Sequence, residues 1–94
     1  MTTPKDVYKG LVKKFGSENQ IIVAIEELSE LQKELCKYLR GETNIRNISE
    51  EMADVEIMLE QLKLIFDNQK PVSIEKNYKL IRTCERYLIG VDNE

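Results

Sequence analysis

The spacing of apolar residues constrains the fold of this chain most strongly. Along most of its 94 residues, apolar side chains recur three and four positions apart, and no segment is suited to a strand. The periodicity, without internal repeats or low-complexity segments, predicts one all-α domain over residues 1–94. A single domain of this length has a limited core, so we expect a four-helix-type bundle completed by association with further copies.

Capping signals divide the pattern into helices, the first over residues 3–14. Pro4 suits its first position, and Gly16 its end. Residues 17–20, Ser-Glu-Asn-Gln, have the form of a capping box and predict that a second helix begins there and ends at residues 40–41. The inward stripe expected on this second helix consists of Ile21, Ile25, Leu28, Leu31, Leu35 and Leu39.

Two further helices are predicted after a connection over residues 41–47, which is rich in turn-forming residues. The third begins near residues 47–49 and continues to Phe66. After a turn at Pro71, Ser73 caps the fourth, which ends at Gly90. The residues expected to point inward from the fourth helix are Ile74, Ile81, Cys84 and Leu88.

Composition excludes several classes of protein. With 14 basic and 17 acidic residues the net charge is -3, which argues against electrostatic binding of nucleic acid. Cys36 and Cys84 are isolated and the chain has no histidine, so the usual zinc sites are excluded. No signal-peptide pattern and no apolar run of membrane-spanning length is present. We therefore expect a cytoplasmic protein with no nucleic-acid or membrane partner.

Two acidic pairs lie inside the predicted helices, each spaced i,i+3. Glu27 and Glu30 belong to the second helix, Glu51 and Asp54 to the third. At about 100° per residue, Glu51 falls within the apolar arc of its helix and Asp54 lies at its edge. A carboxylate there is costly unless it is paired or binds a metal ion. A solvated face stays the alternative for these side chains, and Glu34 is undecided between the two.

If the second and third helices pack antiparallel, both acidic pairs converge, and a divalent cation would relieve their mutual repulsion. All-oxygen ligands without histidine favour Mg²⁺ or Mn²⁺ and exclude a di-iron site. Lys79, Arg82 and Arg86 share a face of the fourth helix. Alone, such a cluster is typical of a solvated face, but beside Mg²⁺ it would neutralise a polyphosphate.

The motifs Glu27-Leu-Ser-Glu30 and Glu51-Met-Ala-Asp54 resemble the ExxE and ExxD motifs of the MazG-like, all-α nucleoside triphosphate pyrophosphohydrolases. The resemblance covers residues 15–88 and is closest to the short, single-domain members. Other positions that look like that family are Phe15, Gly16, Gln20, Ala24 to Leu28, Lys33, Leu35 to Lys37, Ala53 to Val55, Tyr78 to Leu80 and Arg82.

This resemblance implies a homodimeric or homotetrameric enzyme that hydrolyses an NTP or dNTP to a nucleoside monophosphate and pyrophosphate, as in house-cleaning of the nucleotide pool. It implies that Glu27, Glu30, Glu51 and Asp54 hold Mg²⁺, and that one of the glutamates also activates the attacking water. The side chains assigned to the nucleotide are Lys79, Arg82, Arg86, Gln20 and Lys37. Two alternatives stay open: a related substrate such as dUTP, dCTP or phosphoribosyl-ATP, and a non-catalytic helical interaction module.

Overall fold

The computed structural model describes residues 2–89, and in these residues the chain is helical without strands. The elements are α1 (Pro4–Phe15), α2 (Ser17–Leu39), α3 (Ile45–Phe66) and α4 (Gln69–Cys84), followed by a π-helical turn at Glu85–Ile89. The prediction of an all-α chain is confirmed. Within the described residues, every helix is too short or too polar to cross a membrane.

The starts of α1 and α2 follow the prediction, although the capping box predicted for α2 does not form. Thr3 and Asp6 form a reciprocal capping box at the start of α1. The capping box predicted at residues 17–20 is absent, because Gly16 alone joins the two helices and Ser17 already lies inside α2. The Gln20 side chain, expected to reach back to the cap, turns instead toward α3.

The turn between α2 and α3 is shorter than expected. Gly41 adopts a positive φ of 98°, and α3 begins at Ile45, so the predicted start at residues 47–49 is wrong. The residue before α3 is Asn44, whose side chain donates hydrogen bonds back to Glu34. This short connection makes α2 and α3 an antiparallel pair.

The start of α4 also differs from its prediction. Asp67 adopts the left-handed conformation (φ 47°, ψ 47°) and ends α3. As a result α4 starts at Gln69, and Pro71 lies in its first turn, where a helix does not need the missing N–H. The predicted cap, Ser73, therefore lies inside the helix, and the predicted end at Gly90 lies outside the described residues.

The core of the chain lies between α2 and α3, with α1 packed against both. Its buried apolar side chains are Ala24, Val55 and Met58. In contrast, α4 contacts α3 only weakly and extends away from it. Three of the four residues expected to point inward from the fourth helix are exposed, namely Ile74, Ile81 and Leu88, while Cys84 is half-buried. The radius of gyration, 17.1 Å, therefore exceeds the roughly 12 Å of a compact chain of this length.

Most of the apolar stripe predicted to point inward from α2 faces outward. Ile25 is 59% exposed and Leu39 84%, and Leu28 and Leu35 are also exposed. The residues that α2 buries are Gln20, Ala24 and Glu34. The physical reason is that hydrogen bonds from Gln20 and to Glu34, near the two ends of α2, fix the rotation of this helix about its axis.

Candidate metal centre

The inward face of α2 carries polar side chains at intervals of seven residues. Gln20 donates a 2.7 Å hydrogen bond to Gln61 of α3, and Glu34 accepts one of 2.9 Å from Asn44. Glu27 lies midway between them on the same face, since seven residues make two turns of a helix. The two outer contacts thus hold Glu27 toward α3.

Three carboxylates meet between the two helices. Among the described residues, Glu27, Glu51 and Asp54 form a group whose ligand oxygens all lie within 4.8 Å of one another. Glu27 and Glu51 are half-buried, while Asp54 is exposed. We refer to these three side chains as the acidic group.

The fourth carboxylate predicted for the site lies outside the acidic group. Glu30 is exposed on α2, one turn after Glu27. Its negative charge nevertheless acts on both Glu27 and Glu51. The structure thus places Glu30 next to the acidic group without its oxygens joining the other three.

The electrostatics of the acidic group disfavour three bare negative charges. Burial raises the pKa of Glu27, and the carboxylates of Asp54, Glu51 and Glu30 raise it further. Burial also raises the pKa of Glu51, with the same kind of contribution from Asp54 and Glu30. In addition, the Oε2 atom of Glu51 is buried and has no hydrogen-bond partner. An unpartnered buried carboxylate oxygen among other carboxylates is the expected environment of a cation ligand.

The donor set fits a hard divalent cation. All of its atoms are carboxylate oxygens, which suit Mg²⁺ or Mn²⁺, and they come from two helices that the Gln20 and Glu34 contacts hold in place. The exposure of Asp54 opens one side of the acidic group to solvent. A ligand could therefore reach a cation from that side.

Glu34, which the sequence leaves undecided, has a structural role. Its carboxylate accepts hydrogen bonds from Asn44 at 2.9 Å and Lys37 at 3.2 Å. The hydrogen bond from Asn44 lowers the pKa of Glu34, and Lys37 contributes to the same effect. Glu34 thus ties the end of α2 to the turn before α3, and Lys37, assigned to substrate from the sequence, is paired with it.

The other residues assigned to substrate lie apart from the acidic group. Gln20 is 5% exposed and bonded to Gln61, so its burial does not support a contact with a ligand. The guanidinium of Arg82 lies over the Tyr78 ring at 5.7 Å from its centroid, and Arg86 lies similarly over Tyr87. In the described part of the chain, no ion pair joins these arginines or Lys79 to the acidic group, and the leading charges that act on Glu27 and Glu51 are all acidic.

Sequence reasoning missed two residues that shape the site, Gln61 and Asn44. Gln61 is 1% exposed and anchors Gln20. A signal for it was available, because Gln61 follows the buried Met58 by three positions on the same helix face. Asn44 gave no such signal, since an asparagine in a turn-rich segment is ordinarily a turn residue.

No protein-family model, curated protein or solved structure matches this chain. The resemblance therefore depends on the motif residues, and the functional evidence in the structure is the geometry of the acidic group. That geometry consists of three oxygen ligands from two antiparallel helices and one buried carboxylate oxygen without a partner.

Proposed function

We propose that this chain is a Mg²⁺- or Mn²⁺-dependent nucleoside triphosphate pyrophosphohydrolase of MazG-like type that works as a homo-oligomer. The proposal depends above all on the Oε2 atom of Glu51, which is buried without a hydrogen-bond partner beside the carboxylates of Glu27 and Asp54. A bound cation would satisfy this oxygen and neutralise the repulsion that raises the pKa of Glu27 and Glu51.

The residues that would hold the cation are Glu27, Glu51 and Asp54, with Glu30 beside them. When bound, the cation supplies neutralisation and polarisation of phosphoryl oxygens. The chain's own contribution is positional. Because two packed helices position Glu27 and Glu51, their ligand oxygens already lie within 4.8 Å of each other and of the Asp54 oxygen, and the exposed side at Asp54 would admit the triphosphate.

In the proposed reaction, water attacks the α-phosphorus of the nucleotide. A new P–O bond forms there, the α–β anhydride bond breaks, and its electron pair leaves on pyrophosphate. The proton lost by the water passes to a glutamate. Glu30 suits this role, because it is exposed and its oxygens lie outside the acidic group, one helical turn from Glu27.

Lys79, Arg82 and Arg86 would bind the phosphates of the substrate and the departing pyrophosphate. In its own chain α4 contacts α3 only weakly, and no ion pair joins the described residues of α4 to the acidic group. We therefore propose that these side chains reach the site of another subunit, which the extended position of α4 would permit. Such an arrangement would make the active site a property of the homodimer or homotetramer.

The experiment compares Glu51→Gln with Glu50→Gln. Glu50 is the adjacent, exposed carboxylate and lies 3.5 Å from Arg46, so the control removes the same charge one residue away. With Mg²⁺ or Mn²⁺ and a panel of NTPs, dNTPs and phosphoribosyl-ATP, we expect the wild type and Glu50→Gln to release monophosphate and pyrophosphate. Glu51→Gln should release neither while its circular dichroism stays helical.

Calorimetric titration with Mn²⁺ separates the cation site from the reaction. Saturable binding by the wild type and Glu50→Gln, lost in Glu51→Gln, is the expected result. If the wild type bound no cation and released no pyrophosphate from any member of the panel, the enzymatic proposal would be wrong and a non-catalytic helical module would be favoured. Binding without turnover would retain the metal centre and exclude the tested substrates.

A further inference from the structure

The outward stripe of α2 has the regular spacing of a coiled-coil seam. Its members are separated alternately by four and three residues, and five of the six are apolar. They are Ile21, Ile25, Leu28, Gln32, Leu35 and Leu39. All but the half-buried Ile21 are exposed, although a stripe of this pattern is ordinarily covered by another helix.

A second exposed stripe follows α3 at intervals of seven residues: Ile45, Met52, Leu59 and Phe66. On both helices the exposed stripe lies about 100° around the helix axis from the buried residues. Seen from the N-terminus of each helix, this rotation has the same direction. Because α2 and α3 run antiparallel, the opposite viewing directions bring both stripes to the same side of the pair. We call this combined surface the open face.

The surface area of the chain is larger than that of a compact monomer of its mass. It exposes 7724 Å², whereas a compact monomer of 11.0 kDa exposes about 5,600 Å². The excess of roughly 2,100 Å² includes the extended α4, and it exceeds the approximately 800 Å² per partner that a standard interface removes. The chain therefore exposes enough area for a standard interface with a second copy, and the open face contributes its exposed apolar side chains to that area.

We propose that the open face binds a second copy of this chain, with the two α2 helices antiparallel around a two-fold axis at the level of Glu30. In that register Ile21 faces the partner's Leu39, Ile25 faces the partner's Leu35, and Leu28 faces the partner's Gln32. All six positions of the α2 stripe then have a partner, whereas a shift of seven residues leaves two of the six without one. Gln32 is the polar position of this otherwise apolar seam.

The stripe on α3 agrees with the same axis. The Gln20–Gln61 hydrogen bond fixes the relative levels of α2 and α3, and ten residues further along, Glu30 is level with Glu51. Met52 therefore lies beside the axis and faces the partner's Met52. The α2 stripe thus specifies the two-fold arrangement, and Met52 of the α3 stripe lies at its axis, which gives a four-helix bundle made from two antiparallel pairs.

This dimer contact rests on the proposed function, because the proposed enzyme is a homo-oligomer. Its test measures molecular mass and not turnover, so the dimer contact and the enzymatic activity can fail separately. Sedimentation equilibrium would compare Leu28→Glu with Ile22→Glu, the same kind of change at an exposed residue about 120° away on α2. We expect Leu28→Glu to weaken association by about 100-fold or more, because two charges per dimer enter an apolar seam. Ile22→Glu should change it by less than about threefold.

Two further measurements keep the proposal testable if Leu28→Glu fails to fold. Gln32→Leu should tighten the dimer by about tenfold, since it completes the apolar seam. With Cys36 and Cys84 replaced by serine, chains carrying Leu28→Cys should form disulfides with chains carrying Gln32→Cys. A predominance of Leu28→Cys homodisulfides would indicate a parallel seam and overturn the register.

The mass of the wild type is decisive for the open face. A dimer, or a tetramer that Leu28→Glu reduces to smaller species, supports the proposal. A monomer at concentrations up to about 0.1 mM would overturn it. An assembly that tolerates Leu28→Glu and Gln32→Leu without change would also overturn it, because another surface, such as α4, would then hold the copies together.

Discussion

Replacing one member of the Gln20–Gln61 pair should destabilise the chain far more than replacing both. Gln61 is 1% exposed and Gln20 5%, and a 2.7 Å hydrogen bond joins Nε2 of Gln20 to Oε1 of Gln61. Methionine has nearly the volume and shape of glutamine. Gln61→Met therefore removes the acceptor without opening a cavity and leaves the Gln20 amide buried without this partner.

The magnitude follows from the burial of both amides. A buried polar group left without a partner costs about 1–3 kcal/mol. For a domain of this size, that cost corresponds to a decrease in Tm of about 4–20 °C. The Gln20→Met/Gln61→Met double variant loses both polar groups together, so its stability should return to within about 1 kcal/mol of the wild type.

Urea unfolding followed by circular dichroism measures the four free energies of this cycle at one protein concentration, because association contributes to apparent stability. Because each single variant should lose about 1–3 kcal/mol and the double variant less than about 1 kcal/mol, the coupling between the two positions should exceed about 1 kcal/mol. Additive losses in the double variant would refute the reasoning. The same variants test the assignment of Gln20 to substrate, since the loss of a structural link changes the free energy of unfolding, whereas the loss of a substrate contact would raise the KM for the nucleotide.

Three further predictions follow. Without divalent cations, the Tm in thermal melts should rise as the pH falls from about 7 toward 5. The reason is that the raised pKa values of Glu27 and Glu51 let the folded chain bind more protons than the unfolded chain. Saturating Mg²⁺ should remove this trend. Mixing Glu51→Gln with Arg82→Ala subunits should restore about a quarter of the wild-type pyrophosphate release if α4 serves another subunit of a dimer, and none if it serves its own. Thr3→Ala should cost about 0.5–2 kcal/mol in urea unfolding through loss of the α1 cap, whereas Thr2→Ala should cost little.

The sequence predicts the helices because apolar periodicity is a local property. Pro4, Gly16 and Gly41 act through their own backbone preferences, and the boundaries near them were predicted closely. The prediction that Ser17 and Ser73 cap helices is wrong, because the chain before each of them turns in fewer residues than a capped start would need. The length of a turn depends on how the joined helices pack, which no local signal contains.

The rotation of α2 could not be predicted for a related reason. Two stripes lie side by side on this helix, one through Leu28 and one through Glu27, and apolar content favours the former as the inward one. Hydrogen bonds from Gln20 to Gln61 and from Asn44 to Glu34 select the latter. These contacts join residues 41 and 10 positions apart in the chain, so only the folded structure reveals them.

The convergence of Glu27, Glu51 and Asp54 was predictable because i,i+3 spacing and an antiparallel pair suffice to bring them together. The position of Lys79 and Arg82 was not, because it depends on the direction in which α4 leaves the bundle. The sequence predicts that these side chains share a helix face, and says nothing about which acidic group that face approaches.

That direction is set by the backbone of Asp67, the non-glycine residue with positive φ among those described. The helix beyond it has 16 residues and is therefore about 24 Å long. A rotation of 30° at this position would sweep the far end of α4 through an arc of about 12 Å. A change of this size in one backbone angle of Asp67 thus determines how far the arginines of α4 can reach.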